Sequence, residues 1–538
     1  MKLIKYLVGV VVILMGCLGW VFFKKEHVIK EPPLNFVLII TDDQSWEHLG
    51  CYGDPIVRTP HIDLLAENGI RFVHHFNSAP ACAPSRASML TGKHFWELEE
   101  AAIHFSFFPG HFTTFTDLLS KNNYHVAYTG KGWGPGKWEG YRTSDPCGEK
   151  IESVFYDEVP KGINQNHYAG NFEAFLKVRK DQPFFFTIGT TEPHRDLAQG
   201  MGKKSGLNPD KVIVPGFLPD HPIVREDILD YYYEIEWIDR QVGEVLNLLN
   251  HYNLADNTVI IFTSDNGMAF PRAKSNLYDH GSRLPLIISG PGIGSGIVKE
   301  DFTSLPNMAP TILEAAGISI PETMNHHSLW PILTGQNEHL SDQNKFVVMG
   351  KELHGWCQPD GEINPTRAIR TKEYLYIENL KPNLWPAGHP DPKYAWDLMP
   401  FGDVDGGPSK SLLLEKAALP EFYTLYQNAF GKRPAEELYF IDDDPYQLTN
   451  LALKPGYKAV KTELQETLHN YLKTFNDPRM SGETDKFDNA PYFWSQGLST
   501  GGLPPDVWSR LESKKQQVIV DSLRQILVDR QFELPVQK

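Results

Sequence analysis

Cysteine is scarce in this chain: five residues in 538, at Cys17, Cys51, Cys82, Cys147 and Cys357. That number excludes a disulfide-dense scaffold, and the spacing excludes a zinc finger. Cys17 lies in an N-terminal apolar segment and Cys82 in a distinctive motif, so the other three allow one disulfide and require none. Positive charge is also in short supply. Lys and Arg total 51 against 67 Asp and Glu, a formal net charge of −16. This argues against a nucleic-acid partner. It also repels a polyanion at long range, so an anionic ligand needs a local basic pocket. Internal repeats are lacking, which sets aside solenoids and propellers. What remains, 41% hydrophobic and 22% charged residues, is ordinary for a globular protein. The length suits two or more domains, or one long α/β enzyme.

The N-terminus stands apart from the fold. Lys2 and Lys5 precede an apolar run from Tyr6 to Phe23, and Lys24-Lys25 closes it. The run reads as an export signal or a single membrane anchor. Leu14-Met15-Gly16-Cys17 resembles a bacterial lipobox, which would place a lipid on Cys17, although Leu18 to Phe23 stays apolar where a polar tether is usual. The expectation is an exported protein, periplasmic or at the cell surface, tethered to the membrane by lipid or by helix.

Glu31-Pro32-Pro33 reads as a linker. After it, Asn35 to Ile40 is a continuous apolar run, the pattern of a strand buried on both faces, and it ends at Thr41-Asp42-Asp43. Thr59-Pro60 starts a helix as N-cap and first residue, and Asn68-Gly69 stops it. Val126–Thr129 is a strand ending at Gly130-Lys131, and Phe184–Ile188 one leading to Glu192-Pro193-His194. Thr258–Thr263 is another, ending at Ser264-Asp265-Asn266-Gly267. Between the last two, Ile228, Tyr232, Ile235, Val242, Val245 and Leu249 recur at helical spacing. Strands alternating with helices predict an α/β sheet, and ligands collect at the carboxyl ends of such strands. Here four strands end in Asp-Asp, Gly-Lys, a histidine loop and Asp-Asn. That convergence predicts one site.

Further on, Leu284–Ile288 reads as a strand and Pro310–Ala316 as a helix closed by Gly317. From about Lys345 a second region begins. Arg367–Arg370 and Tyr374–Ile377 form an antiparallel pair around Thr371-Lys372-Glu373, Glu437–Asp442 adds a strand, and Ala459–Phe475 a helix. Pro382–Ser411, rich in Pro, Gly and Asp, is predicted as a long loop. The expected segments are 1–33 as anchor and linker, 34–345 as catalytic domain, 346–475 as a smaller α+β subdomain with a short antiparallel sheet, and 476–538 as a C-terminal extension.

The most informative stretch is Cys82-Ala83-Pro84-Ser85-Arg86-Ala87-Ser88-Met89-Leu90-Thr91-Gly92. Taken alone, it is a cysteine at a helix N-terminus, where backbone N–H groups and Arg86 favour an anion, which predicts a lowered thiol pKa. Asp42, Asp43, Asp265 and Asn266 would each pass singly as an ordinary capped turn. Together they supply three carboxylates and an amide oxygen, a hard-oxygen set suited to Ca²⁺ or Mg²⁺.

The stretch resembles, position for position, the sulfatase signature C-x-P-S-R-x-x-x-L-T-G. The resemblance covers roughly Asn35 to Pro331 and, more weakly, Glu437-Leu438-Tyr439 and Asp443-Asp444-Pro445 near Asn450-Leu451-Ala452. It implies an alkaline-phosphatase-like, doubly wound mixed sheet. It implies that a maturation enzyme oxidises Cys82 to formylglycine, and that one Ca²⁺ sits on Asp42, Asp43, Asp265, Asn266 and the oxygen at position 82. Arg86 would bond the hydrated aldehyde, Lys131 and Lys274 the sulfate oxygens, and His194 would protonate the leaving group. Arg272 is a weaker candidate for the role of Lys274. Phe105–Pro109, Pro193-His194-Arg195 and Phe270–Tyr278 look most like sulfamidase, the heparan N-sulfatase, and its bacterial relatives. The implied substrate is a sulfated oligosaccharide or polysaccharide, glycosaminoglycan or algal, such as ulvan. Rival readings are a phosphodiesterase or phosphonate hydrolase of the same fold and a catalytically impaired glycan binder. The chain departs from the family at Gly130-Lys131-Gly132-Trp133, with tryptophan where many sulfatases carry a histidine; His104, His111 and His167 are candidates to replace it. Thr91–Pro109 and Pro382–Ser411 are the expected specificity loops.

Overall fold

A computed structural model describes residues 32–340, 345–395 and 399–490. The apolar segment Tyr6–Phe23, with Cys17, and the extension beyond residue 490 lie outside the described residues. Among the described residues no helix is long and apolar enough to cross a membrane, and Cys51, Cys82, Cys147 and Cys357 form no disulfide.

Ten strands precede residue 305: β1 (Asn35–Thr41), β2 (Gly69–Phe76), β3 (Ser106–Phe107), β4 (His125–Gly130), β5 (Gly136–Lys137), β6 (Glu149–Lys150), β7 (Phe184–Gly189), β8 (Thr258–Ser264), β9 (Arg283–Ser289) and β10 (Ile297–Ser304). Eight of them form one sheet in the order β10-β2-β9-β8-β1-β7-β4-β6. Only β9 runs against its neighbours, so the sheet is mixed as expected. β1 sits centrally because every side chain along it is buried. Val37 and Ile39 face one apolar cluster, and Phe36, Leu38 and Ile40 face the other. Each fully buried side chain of this kind stabilises by roughly 1.5–3 kcal/mol.

The two clusters hold the helices that carry the site. On one face lies the helix Pro222–His251, whose Ile228, Tyr232, Ile235, Val242, Val245 and Leu249 are all buried there as their spacing predicts. On the other lies the helix Cys82–Thr91, seated by Ala83, Ala87 and Leu90. The helix Pro60–Glu67 starts and stops where expected. Thr59 does not cap it through the side chain; its hydroxyl meets Asp63 and accepts the Gly50 N–H instead.

A second sheet follows: β11 (Phe346–Lys351), β12 (Thr366–Thr371), β13 (Tyr374–Asn379) and β14 (Glu436–Phe440), antiparallel throughout. Leu464, Leu468 and Leu472 of the helix Lys458–Thr474 cover one face, and Phe76, Leu277 and Phe302 from the main sheet region cover the other. Arg370 clamps the two regions through a buried bidentate pair with Asp279, 2.9 Å on both oxygens. The stretch Pro382–Ser411, predicted as a loop, is more ordered than that. Ala387, Phe401 and Val404 pack into a small core of their own, and a helix begins at Pro408. Apolar residues spaced among its glycines and prolines give it something to bury.

Candidate active site at the strand ends

β1 pairs in parallel with β7 on one side and β8 on the other, and β7 with β4. Their registers bring Ile40 beside Gly189, Gly189 beside Gly130, and Thr41 beside Ser264. The four motifs therefore leave the sheet at one edge. Glycine is required where β4 and β7 end: a Cβ on Gly189 would fall 1.8 Å from the Lys131 carbonyl oxygen. That close approach lets the Lys131 N–H donate to Gly189 O at 2.7 Å and aims Lys131 inward. Asp43 adopts a left-handed backbone, φ 66°, uncommon for a residue with a Cβ.

The Cys82 helix is tied to these strand ends. Arg86, one turn into it, donates from Nε to Asp265 Oδ2 at 2.7 Å and from Nη1 to the carbonyls of Lys131 and Gly132, both at 3.1 Å. Its buried Nη2 has no hydrogen-bond partner among the described residues. Ser85 Oγ donates to the Asp265 carbonyl at 2.6 Å. Trp133 Nε1 donates to the Ala83 carbonyl at 3.0 Å, and its ring packs edge-on against Phe108. Trp133 thus braces the helix and takes no place at the reacting centre.

Asp42, Asp43, Cys82 and Asp265 each offer a ligand atom, all within 4.8 Å of one another. All four are buried. Asn266 Nδ2 donates to Asp43 Oδ1 at 2.6 Å, while its buried Oδ1 lacks a partner among the described residues. Three carboxylates beside an unused amide oxygen fit a hard divalent cation. Their electrostatics say the same. Burial and then Asp42 push the Asp265 carboxyl up, the mark of carboxylates crowded together. Burial would raise Asp42 as well, but Lys131, His194 and Arg86 outweigh it and hold its pKa well below the usual range.

The thiol departs from its expected state. Cys82 Sγ donates to Asp42 Oδ1 at 3.4 Å. Burial first, and then the Asp42 charge, push its pKa well above the ordinary thiol value. Arg86 does not offset this because its guanidinium is committed to Asp265. A protonated thiol is a poor nucleophile, so the geometry does not support chemistry by free cysteine.

A basic group is paired with the carboxylates. Lys131 Nζ pairs with Asp42 Oδ2 at 2.5 Å. Lys274 Nζ lies 2.8 Å from Asp43 Oδ2, 3.0 Å from Asp405 Oδ2 and 3.0 Å from His194 Nε2. Burial alone would lower the Lys274 pKa, yet Asp405 and Asp43 carry it well up, so it remains a cation. His194 Nδ1 meets the Arg195 carbonyl at 2.5 Å. Donation there leaves Nε2 free to accept from Lys274. Arg195 secures this loop with a bidentate pair to Asp227, at 2.8 and 2.7 Å. Arg272 plays no part in the clamp: it stacks 3.9 Å over Tyr278 and donates to the Asn428 and Gln447 carbonyls.

Cys82, Asp42, Lys131, His194 and Lys274 open on one pocket of about 640 Å³. Of the three histidines considered as replacements, His104 lines it. His111 is exposed beside Glu99, and His167 pairs with Glu244 at the start of the helix Tyr168–Val178. Two pocket residues were not singled out in the sequence, although one of them, Asp405, lies in the expected specificity loop Pro382–Ser411. His354 follows β11, and Asp405 comes from the Pro- and Gly-rich stretch. Neither ends a strand of the main sheet, the cue by which individual residues were picked.

The fold and this pocket bring a carboxylate cluster able to hold a cation together with two lysines and a histidine at one set of strand ends. Residues 34–318 match the model of the sulfatase family, and residues 272–386 that of the N-sulphoglucosamine sulphohydrolase C-terminal region. The chain belongs to the sulfatase family and is a sulfuric ester hydrolase. It is 28% identical to an ulvan-active sulfatase of Formosa agariphila over 84% of this chain and 82% of the relative. It is 27% identical to human N-sulphoglucosamine sulphohydrolase over 83% and 91%. Among solved structures, one captured in complex with its substrate D-glucosamine-2-N,6-O-disulfate superposes with a TM-score of 0.58 at 20% identity, covering 83% of this chain and 98% of that one; at that identity the likeness is one of fold.

Proposed function

We propose that the protein is a Ca²⁺-dependent sulfatase, matured by oxidation of Cys82 to formylglycine, that removes sulfate esters or sulfamates from oligosaccharides of sulfated polysaccharides. One observation carries this reading: buried Cys82 sits among three carboxylates, two of which are paired with Lys131 and with Lys274 beside His194. When present, the aldehyde hydrate supplies the oxygen that takes the sulfuryl group, and the cation supplies a Lewis acid. The chain's own residues do the rest. Asp42, Asp43, Asp265 and Asn266 hold the cation. Lys131 and Lys274 neutralise charge on the sulfuryl oxygens. Arg86 holds Asp265 in place through its Nε and keeps a buried Nη2 without a partner among the described residues for the hydrated aldehyde. His194, whose Nε2 lies 3.0 Å from Lys274, is placed to protonate the departing oxygen or nitrogen; it does so from the imidazolium form, giving up its own Nε2 proton while Lys274 stays charged. The saccharide class is supported by the relatives, whose names point to ulvan and to N-sulfoglucosamine.

The test is sulfate release from defined heparan and ulvan oligosaccharides by matured protein, beside matched phosphate esters. Sulfate release from at least one glycan is expected. Preferential phosphate release would instead favour a phosphodiesterase or phosphonate hydrolase, and binding without release a glycan-binding protein. The metal has a separate readout. Adding Ca²⁺ to chelator-stripped protein should raise Tm, since a ligand at 100 times its Kd stabilises by about 2.7 kcal/mol. An unchanged Tm over millimolar Ca²⁺ would remove the metal from the account.

A further inference from the structure

Two histidines of the pocket have no task in that scheme. His104 and His354 are buried, at 5% and 4% exposure, and both line the pocket that holds Cys82, His194 and Lys274. Their rings stack with centroids 4.5 Å apart and 26° between planes. The His104 N–H donates to the Leu353 carbonyl at 3.0 Å, lacing the two loops together. Neither ring nitrogen of His104 has a hydrogen-bond partner among the described residues, nor has His354 Nε2. A buried polar atom left unpaired costs about 1–3 kcal/mol. Three such atoms at one patch of an open pocket mark a place where a ligand completes the bonding.

The patch is held in position. His354 Nδ1 meets Asp403 Oδ1 at 3.0 Å, and that oxygen also accepts the Gly355 N–H at 2.7 Å. The other Asp403 oxygen pairs with Lys351. The contact with Asp403 fixes the ring, and His354 Nε2, without a partner among the described residues, is left for an incoming hydroxyl. Burial, followed by the neighbouring His354 and Lys274, holds the His104 pKa well below the ordinary imidazole value. Neutral His104 therefore offers one donor and one acceptor. This chemistry matches sugar hydroxyls better than sulfate oxygens, which need charge and donors only. Asp405, two residues beyond Asp403, touches Lys274, so the segment that braces the imidazoles also borders the anion clamp.

We propose that His104 and His354 read the sugar, hydrogen-bonding hydroxyl groups of the ring that carries the sulfate while Lys131, Lys274 and His194 grip the sulfuryl group. This rests on the saccharide reading above. It makes the two residues substrate-binding groups that set which sulfated sugar is accepted, because a site built to bond a hydroxyl discriminates sharply against a sugar lacking it.

The experiment is calorimetric binding to the full chain carrying Cys82→Ala, loaded with Ca²⁺. The probes are inorganic sulfate, a heparan disaccharide ending in N-sulfoglucosamine and a sulfated ulvan disaccharide. His104→Phe and His354→Phe keep ring volume and stacking and remove the nitrogens. Each should weaken binding of the preferred disaccharide about tenfold or more, close to 1.4 kcal/mol, with sulfate affinity held within about twofold. Unchanged disaccharide affinity in both variants overturns the proposal. So does an equal loss for inorganic sulfate, which would place the histidines in the anion clamp. If either Phe variant fails to fold by circular dichroism, the Leu variants, which also remove both nitrogens, are read against the same two criteria. A parent chain that binds inorganic sulfate and neither disaccharide contradicts the saccharide reading itself, a separate outcome from failure of the two variants.

Discussion

Cys82→Ala abolishes turnover, with kcat/KM falling by more than about 10⁴-fold, the scale on which losing a nucleophile acts. Stability changes little. The side chain is small, and its one polar contact is a long bond from Sγ to Asp42. Alanine also fits the start of the helix, where Cys82 makes no capping bond. The same prediction separates two chemistries. If the thiol were the nucleophile, protein made without a maturation enzyme would be active. The thiol is buried and pushed toward its protonated form by Asp42, so unmatured wild-type protein should be as inactive as the alanine variant. Sulfate release from both, beside matured wild type, checks this; an active unmatured protein would contradict it.

Lys274→Ala carries the second large effect. Its ammonium is the one group that touches Asp43, Asp405 and His194 together. Removing it takes away a charge aimed at the sulfuryl oxygens and the donor that faces His194 Nε2. A preorganised donor of this kind is worth about 10²–10³-fold in kcat. Buried Asp43 and part-buried Asp405 also lose their partner, and breaking a buried pair such as that with Asp43 costs about 3–5 kcal/mol. The variant should therefore lose both rate and Tm, and Ca²⁺ should restore part of the Tm because Asp43 is among the carboxylates proposed to hold the cation. Lys274→Arg should recover Tm better than rate, since a planar guanidinium cannot occupy the same point between three partners. A rate loss under tenfold for Lys274→Ala would show that the clamp lies elsewhere.

The central sheet was legible because its inner strands are apolar on both faces. Asn35–Ile40, Phe184–Ile188 and Thr258–Thr263 needed no context to be read as buried strands. The edge was not. β2 contains Arg71, His74 and His75, and β10 contains Lys299, Glu300 and Asp301. Those polar residues break the hydrophobic pattern even where one is buried, as His75 is against Thr303, so neither strand was anticipated. The same contrast holds in the pocket. Asp42, Lys131, His194 and Asp265 follow strands and could be gathered from the sequence. His354 and Asp405 come from loops of the second region, whose approach depends on how the small sheet packs through Arg370 and Asp279. The lowered thiol pKa expected for Cys82 failed for a related reason: sequence shows Arg86 one turn away, and not that its charge is committed to Asp265.

The claim on which the rest depends is that position 82 works as an aldehyde. Peptide mass spectrometry of protein co-produced with a formylglycine-generating enzyme reads it directly. The account predicts a Cys82 peptide in which the CH₂–SH group has become an aldehyde, reactive toward a hydrazide probe and present in proportion to the sulfatase activity of each preparation. An unmodified cysteine at position 82 in fully active protein would contradict it.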